Sequence, residues 1–205
     1  MTWFKSPITT LGAALALLGL AAGGALIPNR ASARAPATAP DAQASSIDDE
    51  FVVTKTRLID IPQTNYIYSS VETSLSSIKE VASETMEPLT DAIKAGKFTP
   101  KGPAIMIYHG MTADPDKKFT LDMGFPVADK VQAFDDFKVR KLPVFHCASV
   151  IMSGPSRDLS QAWQAAYEDL MAAGLQPADE AREEYLKWDA QDSPNNVVLI
   201  EVGVK

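Results

Sequence analysis

The chain has 205 residues, 46% of them hydrophobic and 22% charged, with a formal net charge of -7 and one cysteine. An acidic chain repels nucleic-acid phosphates and anionic lipid and tolerates cationic ligands, and a single cysteine excludes an internal disulfide framework. The stretch beyond the N-terminal region, about 155 residues, suits one domain with a sizeable core and gives no case for a second.

The N-terminus reads as an export signal. Lys5 lies in a short basic head, Ile8 to Ile27 is apolar and rich in Ala, Leu and Gly, and Ala31-Ser32-Ala33 is a small-residue cleavage site. The apolar stretch is also close to bilayer-spanning length, so residues 1–33 are either a cleaved signal peptide or a membrane anchor, the only membrane contact expected. They carry Lys5 and Arg30 and no acidic residue, so the remainder has a net charge of -9. Residues 34–50, built from Ala, Pro, Ser and Gln, read as a flexible linker. The chain is therefore expected to be periplasmic or otherwise held in the cell envelope.

Residues 51–205 form the body. Phe51 to Ile61 and Tyr66 to Tyr68 have strand composition. Val71, Leu75, Ile78, Ala82, Met86, Leu89 and Ile93 recur every three or four residues, which predicts a helix that Pro88 kinks or divides and Gly96 ends. Extended segments follow at Pro103 to Tyr108 and Phe119 to Val127. The same order then recurs: an extended run from Phe137 through Leu142 to Met152, a helix with Leu159, Ala162, Trp163, Ala166 and Leu170 on one face, and closing strands at Glu183 to Trp188 and Val197 to Val204. Ser156 or Asp158 is expected to cap that helix and Gly174 to end it. Leu121 to Val127 and Leu199 to Val204 are similar endings, so the body reads as two strand-helix-strand-strand units, about 51–127 and 134–205. This is an α+β fold in which one antiparallel-rich sheet leaves a groove between its helices.

In that frame, Gly102-Pro103 with Tyr108, then Met123-Gly124-Phe125-Pro126-Val127, Ser153-Gly154-Pro155 ahead of a helix, Gly174-Leu175, and Glu183-x-Tyr185-Leu186 resemble, in order, the GyrI-like or AraC-type effector-binding domain. The resemblance covers about residues 51–205. It implies a two-unit fold that holds small, often cationic or aromatic, molecules between its halves. Many members are fused to a DNA-binding helix-turn-helix. An export signal stands in that place here, so nucleic acid is not an expected partner.

Glu183 and Tyr185 are two apart on a predicted strand and project to one face, with Glu184 on the other. A carboxylate in an aromatic groove costs free energy unless paired, and a cationic ligand offsets that cost. The resemblance assigns Glu183 the acidic role and Tyr108 the first unit's tyrosine; Trp163 and Phe125 complete the candidate ligand-binding set, with core packing as their alternative. The leading function is therefore sequestering or sensing an amphipathic, cationic or aromatic small molecule. The resemblance also implies a hydrolase alternative acting on cyclopropane-bearing toxins, with Glu183 positioning water, and a minor haem alternative through His109 or His146. Cys147 reads as a small core residue. No cofactor is expected and no metal site: two histidines and one cysteine make no zinc set, and Asp114-Pro115-Asp116 lacks the later positions of a calcium loop.

Overall fold

A computed structural model describes residues 51–205; the export signal or anchor and the linker lie outside the described residues. Nine strands form one antiparallel sheet: β1 (Val52–Val53), β2 (Arg57–Ile61), β3 (Thr64–Thr73), β4 (Ile105–His109), β5 (Phe119–Val127), β6 (Lys138–Leu142), β7 (Phe145–Ser153), β8 (Pro177–Lys187) and β9 (Val197–Val204). Helix α1 (Ile78–Lys94) connects β3 to β4, and α2 (Leu159–Ala172) connects β7 to β8. Strand, helix, strand, strand thus occurs twice, in an α+β arrangement.

The sheet order is β1-β7-β9-β8-β4-β5-β3-β6, with β2 also on β7. The middle pair, β4 and β8, joins the two halves, and the order outward from it is the same on each side. Each half is flanked by a strand preceding the other half's first strand: β2 comes before β3 but pairs with β7, and β6 comes before β7 but pairs with β3. These exchanged strands tie the halves together by hydrogen bonds at the margins as well as at the centre.

Alternation along the strands separates two faces. Ile67, Met106, Tyr108, Leu121, Met123, Ala148, Val150, Ile200 and Val202 join the apolar faces of both helices in one core. Tyr66, Ile105, Ile107 and Leu142 form a smaller cluster on the reverse. There the Tyr66 hydroxyl donates to the carbonyls of Ile105 and Asp122 at 2.7 and 3.2 Å, which stitches β3 across β5 to β4.

Several boundaries differ from the sequence expectation. Helix α1 begins at Ile78, so Val71 and Leu75 are not in it. Strand β3 runs through Thr73 because β-branched Val71 and Thr73 pair with Leu121 and Phe119 of β5. Pro88 lies inside an unbroken α1 on its exposed side. The run through Leu142 to Met152 is two strands, separated by Pro143-Val144. No side-chain cap bond forms at Asp158, and the Ser156 hydroxyl is instead bonded to the Gln191 carbonyl. Strand β8 starts six residues before Glu183, since pairing to both β4 and β9 overrides the weak strand propensity of Ala178-Asp179-Glu180. Gly174 ends α2 at φ 73°, as expected.

Gly124 permits close approach at the β3–β5 pair, where a Cβ would stand 1.9 Å from the Ile67 carbonyl oxygen. Gly124→Ala is expected to destabilise the domain by about 3 kcal/mol in urea unfolding, whereas Gly96→Ser, where a Cβ meets nothing within 4 Å, should show only the strain of its positive φ.

Candidate functional site

Glu183 lies on β8, beside Met106 of β4 and Ile200 of β9. Its row on the helix side continues through Met123 and Val150, so a carboxylate sits in the middle of an apolar row at the centre of the sheet. It is 1% exposed. Burial of an unpartnered carboxylate costs several kcal/mol, and three donors answer that cost. The Tyr108 and Tyr185 hydroxyls donate to Oε2 at 2.7 and 2.6 Å, and the Trp163 indole N–H donates to Oε1 at 2.6 Å.

Each donor comes from a different part of the chain. Tyr185 shares the strand face of Glu183 through its two-residue spacing, Tyr108 is presented by the partner strand β4, and Trp163 projects from the sheet-facing stripe of α2. The rings also pack on one another. Tyr108 meets Trp163 edge-on at 5.6 Å, Trp163 stacks with Tyr167 at 6.0 Å, and Tyr185 meets Trp188 edge-on at 5.3 Å. The Sδ of Met106 lies 3.7 Å from the Tyr108 hydroxyl and 3.6 Å from that of Tyr185.

Burial pushes the Glu183 carboxyl up, while the bonds from Tyr185, Trp163 and Tyr108 pull it back, and it remains above the usual carboxylate range. Burial, reinforced by the Glu183 charge, holds both tyrosines well above theirs, so they remain donors. All three donors are neutral. They occupy three of the carboxylate's roughly four lone-pair sites without cancelling its charge, so an ionised Glu183 keeps its attraction for a cation.

The structure therefore brings together Glu183, Tyr185, Tyr108 and Trp163. It places Phe125 elsewhere, buried against Phe98 at a ring distance of 6.3 Å in the half that holds α1. Glu184 lies on the reverse face, as its parity requires. Cys147 is buried on that face too, and burial pushes its thiol up to about 12. His109 bonds Asp122 at 3.1 Å on the reverse face, and His146 is exposed and paired with Asp60 at the β2–β7 edge, so neither histidine stands with the four site residues. Trp188 has no role in the sequence reading. Its position three residues beyond Tyr185 on an assumed regular strand puts it on the wrong face.

A cavity of about 800 Å³ lies elsewhere, between α1 and the β3–β6 edge, lined by Ser69, Thr85, Asp91, Lys97 and Phe137 among others. At the seam itself the four residues close on one another.

The chain belongs to the family of GyrI-like small molecule binding domains, whose model matches residues 54–205. The solved structures it resembles include the EcmrR C-terminal domain, at 19% identity and TM-score 0.59, covering 74% of this chain and 97% of that one. In the EcmrR–DNA complex it spans only 57% of the EcmrR chain. It also resembles SAV2435 bound to tetraphenylphosphonium, at 10% identity and TM-score 0.56, covering 74% and 94%. A third is a hydrolase encoded by lin2189 from Listeria innocua, at 12% identity and TM-score 0.50, covering 74% and 92%. These likenesses are of fold. No curated protein sequence matches the chain.

With Glu183 ionised, Tyr185→Phe removes one charge-assisted bond and is expected to cost about 2 kcal/mol of unfolding free energy. The loss should shrink in acid, where Glu183 is protonated, and urea titrations across pH measure it. On the reverse face, Glu201 is fully buried, neither carboxyl oxygen has a hydrogen-bond partner among the described residues, and burial followed by the Glu184 charge pushes its carboxyl up to about 8. A raised acid pKa means that the folded state holds the proton more tightly. Its stabilisation is complete below the ordinary carboxyl value of 4.5 and is lost as pH climbs through about 8. Glu201→Gln should flatten that decline in melting temperature, an effect of a few kcal/mol at its full extent.

Proposed function

We propose that this chain is an exported small-molecule-binding protein that sequesters or senses an amphipathic, cationic or aromatic ligand at Glu183, Tyr108, Tyr185 and Trp163, in the seam between its halves. The observation that carries this reading is the buried Glu183 carboxylate, whose hydrogen-bond partners are three neutral donors and include no basic side chain. A lipophilic cation leaves water cheaply and gains the Coulomb attraction, about 4 kcal/mol at 4 Å for an effective dielectric of 20. Each ring facing it adds roughly 0.5–2 kcal/mol. SAV2435, of similar fold, is bound to such a cation. With the carboxylate buried beneath α2, a ligand reaches it by displacing the Trp163 indole. Export rests on the composition of residues 1–33 and is checked by cell fractionation of the full chain against a variant lacking them.

Tetraphenylphosphonium is the first probe. It should raise the melting temperature and change tryptophan fluorescence, and Glu183→Gln should weaken its binding about ten-fold or more, while a neutral aromatic of like size loses little. Because protonation removes the attracting charge and burial raises the Glu183 carboxyl, cation affinity should rise with pH through that raised titration. Affinity independent of both pH and Glu183 overturns the reading.

The raised Glu183 carboxyl also favours a second reading, a hydrolase in which Glu183 positions or activates water and Tyr185 and Trp163 hold a cyclopropane-bearing substrate. Turnover lost in Glu183→Gln with binding retained separates it from simple binding.

A further inference from the structure

Trp188 follows β8 at an irregularity. Pairing with β9 is regular from Ala181 to Glu184 and shifts register before Lys187. On an uninterrupted strand, residue 188 shares the parity of Arg182 and Glu184 and points to the reverse face. The shift returns it to the helix side, where its ring meets Tyr185 edge-on at 5.3 Å and packs against the main core. Re-aiming a side chain beside a functional site is a recurrent use of such bulges. Tyr185 is one of the three residues that donate to Glu183, so Trp188 adds a further ring to the aromatic group around the carboxylate.

The indole carries one polar atom. Its Nε1 is buried and has no hydrogen-bond partner among the described residues, although the rest of the side chain is only partly buried. Trp163 contrasts with it, since its N–H is committed to Glu183. A buried donor left unfilled costs free energy that an acceptor brought by a ligand recovers. The aromatic group thus holds two chemically different polar groups, an anion at Glu183 and a buried, unpartnered donor at Trp188.

We infer that Trp188 is a ligand-contacting, specificity-determining residue whose indole N–H receives a hydrogen-bond acceptor carried by a cationic ligand held at Glu183. This rests on the cation-binding reading above. The preferred ligand is then an amphipathic cation bearing a carbonyl or ether oxygen on an arm beyond its charged centre.

A matched pair of probes tests it: pentyltriphenylphosphonium, and the analogue whose alkyl chain ends in a methyl ester. Wild-type protein should bind the ester roughly two- to ten-fold more tightly by calorimetry, the range expected for one neutral hydrogen bond. Trp188→Phe keeps an aromatic ring and removes the N–H, so whatever it does to overall affinity it should erase the preference, bringing the ester-to-alkyl affinity ratio to about one. Melting temperature confirms that the variant is folded, and the indole N–H resonance missing from its spectrum is the one that should shift when wild type is saturated with ester. No ester preference in wild type, or a preference that survives Trp188→Phe, overturns the assignment. Glu183→Gln in parallel separates the two readings. If it weakens both probes while Trp188→Phe changes nothing, only the Trp188 inference fails; if neither probe binds wild type, or Glu183→Gln leaves both affinities unchanged, the cation site fails and the inference with it.

Discussion

The buried Glu183 carboxylate is the constraint on which the rest of this structure turns. A charge in the middle of an apolar sheet row is tolerable only if donors are held against it, and hydrogen bonds to an ionised group contribute about 1.5–3 kcal/mol each. The donors come from β4, β8 and α2, so the site exists only when the two halves are joined and α2 is docked. Strand β8 must be central, because only a central strand gives Glu183 neighbours on both sides. The exchanged flanking strands β2 and β6 then hold the outer edges of the halves whose seam contains the charge.

The reverse face handles carboxylates differently. Asp122 on β5 and Glu201 on β9 each stand two residues before a glycine that packs closely on a neighbouring strand, Gly124 and Gly203. Burial pushes Asp122 up, but bonds from His109 and Ser70 and the Arg140 guanidinium at 2.7 Å hold it below its ordinary value. Glu201 gains no such partner. The neighbouring Arg182 spends its guanidinium on Glu180 at 2.6 Å and lies over the Phe145 ring at 3.8 Å. Corresponding positions therefore hold one anion and one proton-retaining acid.

Much of the candidate site's geometry was legible in the sequence, for reasons that can be named. Strand parity put Glu183 and Tyr185 together and sent Glu184 away, and helix periodicity placed Trp163 on the stripe facing the sheet. Tyr108 came through family resemblance rather than periodicity. Phe125 stands apart from these four: its glycine-flanked setting reads equally as core, and the ring contact that places it beside Phe98 is a long-range one. Trp188 was hidden by the register shift, since a bulge is fixed by pairing with β9 and leaves no mark in an alternating pattern. The start of β8 and the exchange of β2 and β6 were hidden likewise: Pro177 to Glu180 has no strand composition, and which strand pairs with which edge is a non-local choice.

Selectivity for charge and tolerance of shape can coexist in such a site. On the proposed cation reading, the carboxylate selects by charge, and its three neutral donors hold it in place until a ligand displaces the Trp163 indole. The floor beneath them is different. Met106 lies under both tyrosine hydroxyls and pairs with Met123 across the strands, and Met86 of α1 and Met152 of β7 belong to the same core. Methionine side chains are unbranched and polarizable, and they repack around varied shapes at little cost. If the proposed cation site holds, an anion above a thioether floor is compatible with cations of more than one shape. On the inference drawn above, the buried, unpartnered N–H of Trp188 adds selection by hydrogen bonding beside the same aromatic rings.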